Sequence, residues 1–222
     1  MNPFPDKKYS VIYVDPPWTY KGRINHNGSK LTGSASDHYE VMSTEDLRSL
    51  DVKSISETNC CLFMWVSGPK LDEAVLLGQA WGFKYKTIAF VWDKVLPNVG
   101  FYTLSQCEIC LVFTRGCIPK NRGTRNERQF LSKKRTKRHS EKPHDIRERI
   151  NRMFPDTHHN RIELFSRHIT PGWDVWGKDP ILEPSDTSET SETSGTSETS
   201  ETIEMPEISD ALNFWISADL FK

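Results

Sequence analysis

A carboxylate followed at once by two prolines and a large aromatic ring, Asp15-Pro16-Pro17-Trp18, is a segment whose residue types could do chemistry together. Carboxylates and backbone carbonyls are pure hydrogen-bond acceptors. Side by side, they can each take one hydrogen from a planar exocyclic amine and draw its nitrogen toward a tetrahedral geometry able to attack an electrophile. An amine on an aromatic ring needs such help, because its lone pair is delocalised into the ring. Here Asp15 and the Pro16 carbonyl would be the acceptors. The prolines fix φ and remove N–H donors, which stiffens the turn. Trp18 could then stack on the flat base, an interaction worth about 1–3 kcal/mol. The plainer alternative is that Asp-Pro-Pro only ends a strand and Trp18 is core.

The surrounding elements must position that turn. Tyr9-Ser-Val-Ile-Tyr-Val14 is a β-branched and aromatic run that the prolines terminate, so a strand stops at Asp15. Residues 19–38, rich in Gly, Asn, Ser, His and Lys, read as a long loop. Ser43 and Asp46 have capping-box spacing at a helix start, and Cys61–Val66 reads as a strand. Helical spacing over Pro69–Trp81 ends near Gly82, and strand-like runs follow at Lys86–Trp92 and Cys107–Phe113. A charged helix is expected over Asp145–Met153 and a strand over Arg161–Phe165. Strands alternating with helices imply an α/β fold, a mainly parallel sheet with helices on both faces.

The domain reading is a catalytic unit over residues 1–183, then a Ser/Glu/Thr repeat over 184–202 too polar to fold, then a short amphipathic helix over 203–222. That helix is marginal alone and is expected to dock, on this chain, on a second copy or on another partner. No apolar run is long enough for a membrane helix and no signal-peptide stretch opens the chain, so a cytoplasmic setting is expected, nuclear in a eukaryote. The five cysteines read as reduced thiols, and the lone Cys107-x-x-Cys110 has no second pair to complete a zinc site, so no metal is expected.

The run Tyr9–Trp18 resembles the signature of the MT-A-type adenine-N6 methyltransferases, the family of the mRNA adenosine methyltransferase catalytic subunit and its bacterial and phage DNA relatives. The likeness continues in order through His38–Ser43, Leu62–Val66, Trp81-Gly-Phe83, Phe90–Lys94, Cys107–Val112, His139–Pro143 and Ile162–Arg167, covering about residues 7–179. It implies a Rossmann-like S-adenosylmethionine-dependent methyltransferase with permuted motif order, the catalytic strand first and a cofactor strand near the end. By that resemblance Asp15, Pro16, Pro17 and Trp18 are catalytic. Asp15, Lys142, Phe165, Arg167, His168, Gly177, Lys178 and Asp179 would surround the cofactor, with Lys142 on its methionyl carboxylate. Tyr20, Tyr39, Trp92 and Lys94 would line the target-base pocket. The chain departs from its relatives after His168, where Ile169-Thr-Pro-Gly-Trp173 replaces an Asn-containing segment.

Charge supplies the expected partner. The whole chain has 29 Lys+Arg and 30 Asp+Glu, but ten acidic residues and one basic from Glu183 onward leave residues 1–182 at +8. Arg115–Arg152 alone holds fourteen basic and four acidic side chains. Lys133, Lys134, Arg135, Lys137 and Arg138 form its densest stretch, expected to be a flexible loop gripping phosphates. An amine inside a duplex is out of reach, so the target adenine must be single-stranded or flipped out. DNA is favoured over RNA because no added RNA-binding module is recognisable. The rival readings are an RNA N6-adenosine methyltransferase and a non-catalytic nucleic-acid-binding subunit with the same fold.

Overall fold

The structure, a computed structural model, describes residues 3–19, 42–98, 102–136, 141–166, 168–177 and 181–182. The chain divides into one unit over Met1–Pro184 and another over Ser185–Lys222. The second unit, with the expected repeat and terminal helix, lies outside the described residues.

In chain order the elements are β1 (Tyr9–Val14), α1 (Thr44–Ser49), β2 (Ser56–Val66), α2 (Leu71–Ala80), β3 (Lys84–Asn98), β4 (Ser105–Arg115), β5 (Phe130–Ser132), α3 (His144–Met153), β6 (Arg161–Leu164), β7 (His168–Ile169), β8 (Asp174–Trp176) and β9 (Ile181–Leu182). Seven strands form one sheet in the order β5-β3-β4-β2-β1-β6-β8, and β7 pairs with β9 separately. β1 is flanked by β2 and β6, both parallel to it, and β6 is followed in parallel by β8. β4 runs antiparallel to both β2 and β3, because β3 and β4 are joined without a crossover helix. The sheet is therefore mostly parallel but mixed, an α/β Rossmann-like fold.

The central strands look uniformly apolar in sequence because both sheet faces are covered. Ile12 and Val14 of β1 join Leu62, Met64 and Val66 of β2 under Leu47 of α1 and Ala74 and Leu77 of α2. Val11 and Tyr13, with Cys61, Phe63 and Trp65, point the other way and meet Ile146 and Ile150 of α3. Each such aliphatic side chain, fully buried, contributes roughly 1.5–3 kcal/mol. α1 starts as its sequence predicts: Ser43 is the N-cap, its Oγ accepting the Asp46 backbone N–H at 3.1 Å. No helix among the described residues is long and apolar enough to cross a membrane.

The basic segment is less of a free loop than its composition suggests. Residues 115–136 fold back along the sheet, and β5 pairs in parallel with β3 through Val91↔Phe130 and Asp93↔Ser132. Several of its cations are spent on the protein. Arg149 donates to the Arg128 and Phe130 carbonyls, Arg152 pairs with Glu127, and Arg147 pairs with Glu163 at 2.9 Å.

Candidate active site

Parallel strands send their carboxyl ends to one edge, and the antiparallel β4 sends its amino end there too. Val14 aligns with Met64 and Leu164, Val66 with Ile109, and Trp92 with Glu108. One step past the ends of β1 and β2 lie Asp15 and, within the longer strands β4 and β3, Glu108 and nearby Lys94. Side chains two apart share a face. Thus Asp15 follows Tyr13, Glu108 precedes Cys110 and Lys94 follows Trp92, all on the face that α3 covers. Lys142 stands two residues before α3 begins at His144.

These four side chains form an alternating chain of charge. Asp15 Oδ2 is 2.7 Å from Lys142 Nζ, Lys142 Nζ is 3.3 Å from Glu108 Oε2, and Lys94 Nζ is 3.3 Å from Glu108 Oε1. The Lys142 ammonium also lies 5.8 Å from the centre of the Trp65 ring. Asp15 is the outward end, with 35% of its side chain exposed, against 24% for Glu108, 11% for Lys142 and 6% for Lys94. Burial works against the Lys142 charge, but Asp15 and Glu108 outweigh it and push its pKa above the ordinary lysine value. Burial likewise opposes the Glu108 charge, and Lys142 and Lys94 overcome it, holding the carboxyl below its usual range. The neighbouring Cys110 thiol is pushed up by burial and by the Asp15 charge, so it stays protonated.

The turn after Asp15 is tightly held. The Pro16 carbonyl accepts the Trp18 N–H at 2.8 Å and the Pro17 carbonyl accepts the Met42 N–H at 3.0 Å. A carbonyl has two lone pairs, so one acceptor position of Pro16 is used within the turn. Trp18 corrects the stacking expectation. Its ring is 4% exposed and its Nε1–H donates to the Trp65 carbonyl at 3.2 Å, so it anchors the turn in the core. Trp92, expected in the base pocket, is also core: it is 3% exposed, edge-on to Trp65, with its Nε1–H on the Lys133 carbonyl. Lys94 reaches Glu108 instead of presenting a free cation to a base.

At the far side, β6 and β8 end together. Phe165 has a left-handed backbone, φ 60°, and packs edge-to-face on Trp176. A Cβ on Gly177 would sit 2.3 Å from the Ser166 carbonyl oxygen, so only glycine lets the two strand ends approach this closely. The His168 backbone N–H donates to Ser166 Oγ, which itself donates to the His168 carbonyl at 2.7 Å. Lys133 pairs with Asp145 at 2.6 Å, while Lys134 and Arg135 are exposed. Tyr20, Tyr39, Lys137, Arg138, Arg167, Lys178 and Asp179 lie outside the described residues. Cys107 and Cys110 are three apart on β4 and so leave opposite faces, the first exposed and the second buried.

A profile of the MT-A70 family matches residues 9–179, from the first residue of β1 to beyond β8. The chain belongs to the MT-A70 family. It is 47% identical over 185 residues to the type II methyltransferase M.MunI of Mycoplasma sp, with 78% of each protein covered. It is 26% identical over 181 residues to the N(6)-adenosine-methyltransferase MT-A70-like protein of Drosophila melanogaster, covering 77% of this chain and 26% of that one. To the N(6)-adenosine-methyltransferase catalytic subunit METTL3 of Homo sapiens it is 24% identical over 182 residues, covering 77% of this chain and 28% of that one. The chain thus spans about a quarter of those two animal proteins. Within this MT-A70 domain, Glu108 is the residue that motif reading gave no role. Its signal was a lone carboxylate inside an apolar strand, at the same parity as Cys110.

Proposed function

We propose that this MT-A70 chain methylates the N6 amine of adenine in DNA with S-adenosylmethionine as donor. The observation that carries the reading is Asp15, an outward carboxylate at the carboxyl end of the central parallel strand, fixed by Lys142 and followed by a rigid Pro-Pro turn. Open α/β sheets bind their ligands beyond such strand ends. The residues present fit the cofactor: Asp15 and Lys142 set an anion beside a cation, the complement of an amino acid's zwitterion, while β6 and β8 close together beside β1. Phe165, Arg167, His168 and the Gly177-Lys178-Asp179 segment are the proposed remainder of that site. When bound, the cofactor supplies an electrophilic methyl group.

Asp15 accepts one hydrogen of the target amine, and the second lone pair of the Pro16 carbonyl accepts the other. Together they turn the nitrogen lone pair out of the ring plane. Pro17 and the buried Trp18 hold that geometry. With Trp18 in the core, Tyr20 and Tyr39 are the proposed contacts to the base. Lys142 holds the Asp15 carboxylate in place, and Glu108, itself paired with Lys94, keeps Lys142 in position. Lys134 and Arg135, with Lys137 and Arg138, are the proposed phosphate contacts in a cytoplasmic setting.

DNA is favoured by the likeness to a type II methyltransferase across most of both chains. The N(6)-adenosine-methyltransferase relatives keep RNA as the second reading. Incubation with labelled S-adenosylmethionine and matched DNA and RNA oligonucleotides, then nucleoside analysis, tests both. N6-methyldeoxyadenosine is the expected product. Label only in RNA transfers the activity to the second reading. No label, with no cofactor retained in equilibrium dialysis, leaves a nucleic-acid-binding subunit.

A further inference from the structure

We propose that the outer ends of β3 and β4 form a wedge that enters a DNA duplex beside the target adenine, with Tyr102 filling the place the base leaves in the stack. The proposal rests on the DNA reading above and deepens it. Four observations support it together. First, β3–β4 pairing continues past Asp93↔Cys107 to Asn98↔Ser105, with a register shift that sets five steps of β3 against two of β4, so the paired ends reach on the order of 7 Å beyond Cys107. Second, the projection is apolar where water would favour polar groups: Val95, Leu96 and Leu104 are exposed and Tyr102 is 99% exposed. Third, the base of the projection is stiff. Asp93 accepts the Val95 N–H at 2.8 Å, the Gln106 amide at 2.6 Å and the Ser132 hydroxyl at 2.8 Å, tying β3, β4 and β5 together. Those bonds hold Val95 at φ 67°, a conformation costly for a β-branched residue. Fourth, cations flank it: the Lys133 N–H donates to the Asp93 carbonyl at 3.0 Å, so the exposed Lys134 and Arg135 emerge beside the projection.

An apolar projection braced at its base and bordered by cations suits a nucleic-acid duplex better than a protein surface. Phosphates would take the cations, and an aromatic ring would take the gap between base pairs. Extruding a base costs unstacking energy, and inserted side chains offset it elsewhere by replacing the lost contacts. No covalent step is involved.

The experiment compares wild type, Tyr102→Ala and Tyr102→Trp on two duplexes carrying a mapped target adenine. One has thymine opposite that adenine; the other has an abasic site there, which removes the pairing the wedge must break. Tyr102→Ala is expected to lower kcat/KM about tenfold or more on the paired duplex and roughly threefold or less on the abasic one, with Tyr102→Trp restoring the paired activity. Fluorescence of 2-aminopurine at the target should rise on binding wild type and fail to rise with Tyr102→Ala. Equal losses on both duplexes, unchanged activity, or a shift in sedimentation revealing a lost protein interface would each overturn the wedge. Wild-type methylation of adenine alongside any of those results leaves the proposed function standing; absence of wild-type transfer to DNA overturns both.

Discussion

Replacing Glu108 by Gln should strand the buried Lys94 ammonium and take from Lys142 one of its carboxylate partners, and the size of the effect follows from the geometry. Glu108 lies 3.3 Å from both Lys142 and Lys94, and at an effective dielectric constant near 20 each contact is worth roughly 5 kcal/mol before desolvation. Most of that is cancelled by the cost of burying the charges, so the measured loss falls between the surface value, about 0–1 kcal/mol, and the buried value, about 3–5 kcal/mol. Lys94 is 6% exposed and Glu108 24%, which puts the expectation at about 2–3 kcal/mol. Urea unfolding of E108Q, K94M and the double variant, at constant m, closes the cycle. The double variant should be less destabilised than the sum of the singles by about 1–2 kcal/mol, because it no longer buries an unpaired charge. Acid provides an independent check. Since the folded Glu108 pKa is depressed, its stabilisation is full above the unfolded value of about 4.3 and disappears as pH falls through the lower folded value. The gap between wild type and E108Q should therefore narrow below that pH. Additive single effects, each under about 0.5 kcal/mol, would refute the linked charge chain.

Gly177→Ala should destabilise the protein by about 1–3 kcal/mol, because the added carbon would meet the Ser166 carbonyl oxygen at 2.3 Å; an unshifted thermal midpoint would remove Gly177 as a strand-end spacer. Lys134→Ala with Arg135→Ala should lower the slope of log K against log salt by about 2, measured by fluorescence anisotropy, and an unchanged slope would exclude both as phosphate contacts. Ending the chain before Glu183 removes ten acidic residues and should tighten DNA binding at low salt, with the gain fading as salt rises; equal affinity throughout would free the tail of any competition with nucleic acid.

Local signals carried much of the fold. The apolar run before Asp15, the Ser43 cap and the period of α2 depend on neighbours in sequence, and each is where its residues imply. The antiparallel turn of β4 was hidden, because a short apolar strand reads the same in either direction. β5 was missed, being three residues with an exposed, half-buried, exposed pattern that only pairing with β3 makes a strand. In the candidate site, Asp15 and Lys142 stand out by motif, yet their contact spans 127 positions and is set by the sheet. Trp18 and Trp92 show the limit: an aromatic at a strand end suits a base or a core, and only the Trp65 and Lys133 carbonyls that take their N–H groups decide between them. Glu108 needed the register, since nothing local links it to residues 94 and 142.

Methyl transfer by Asp15→Asn, measured with labelled S-adenosylmethionine on an adenine-containing duplex beside wild type, addresses the mechanism most directly. The carboxamide keeps the shape but loses one acceptor, so turnover should fall at least about a hundredfold. Because Lys142 keeps Glu108 as a counter-charge, the thermal midpoint should fall less than in E108Q and the variant should stay folded. A variant that stays folded and methylates adenine at the wild-type rate would contradict the account.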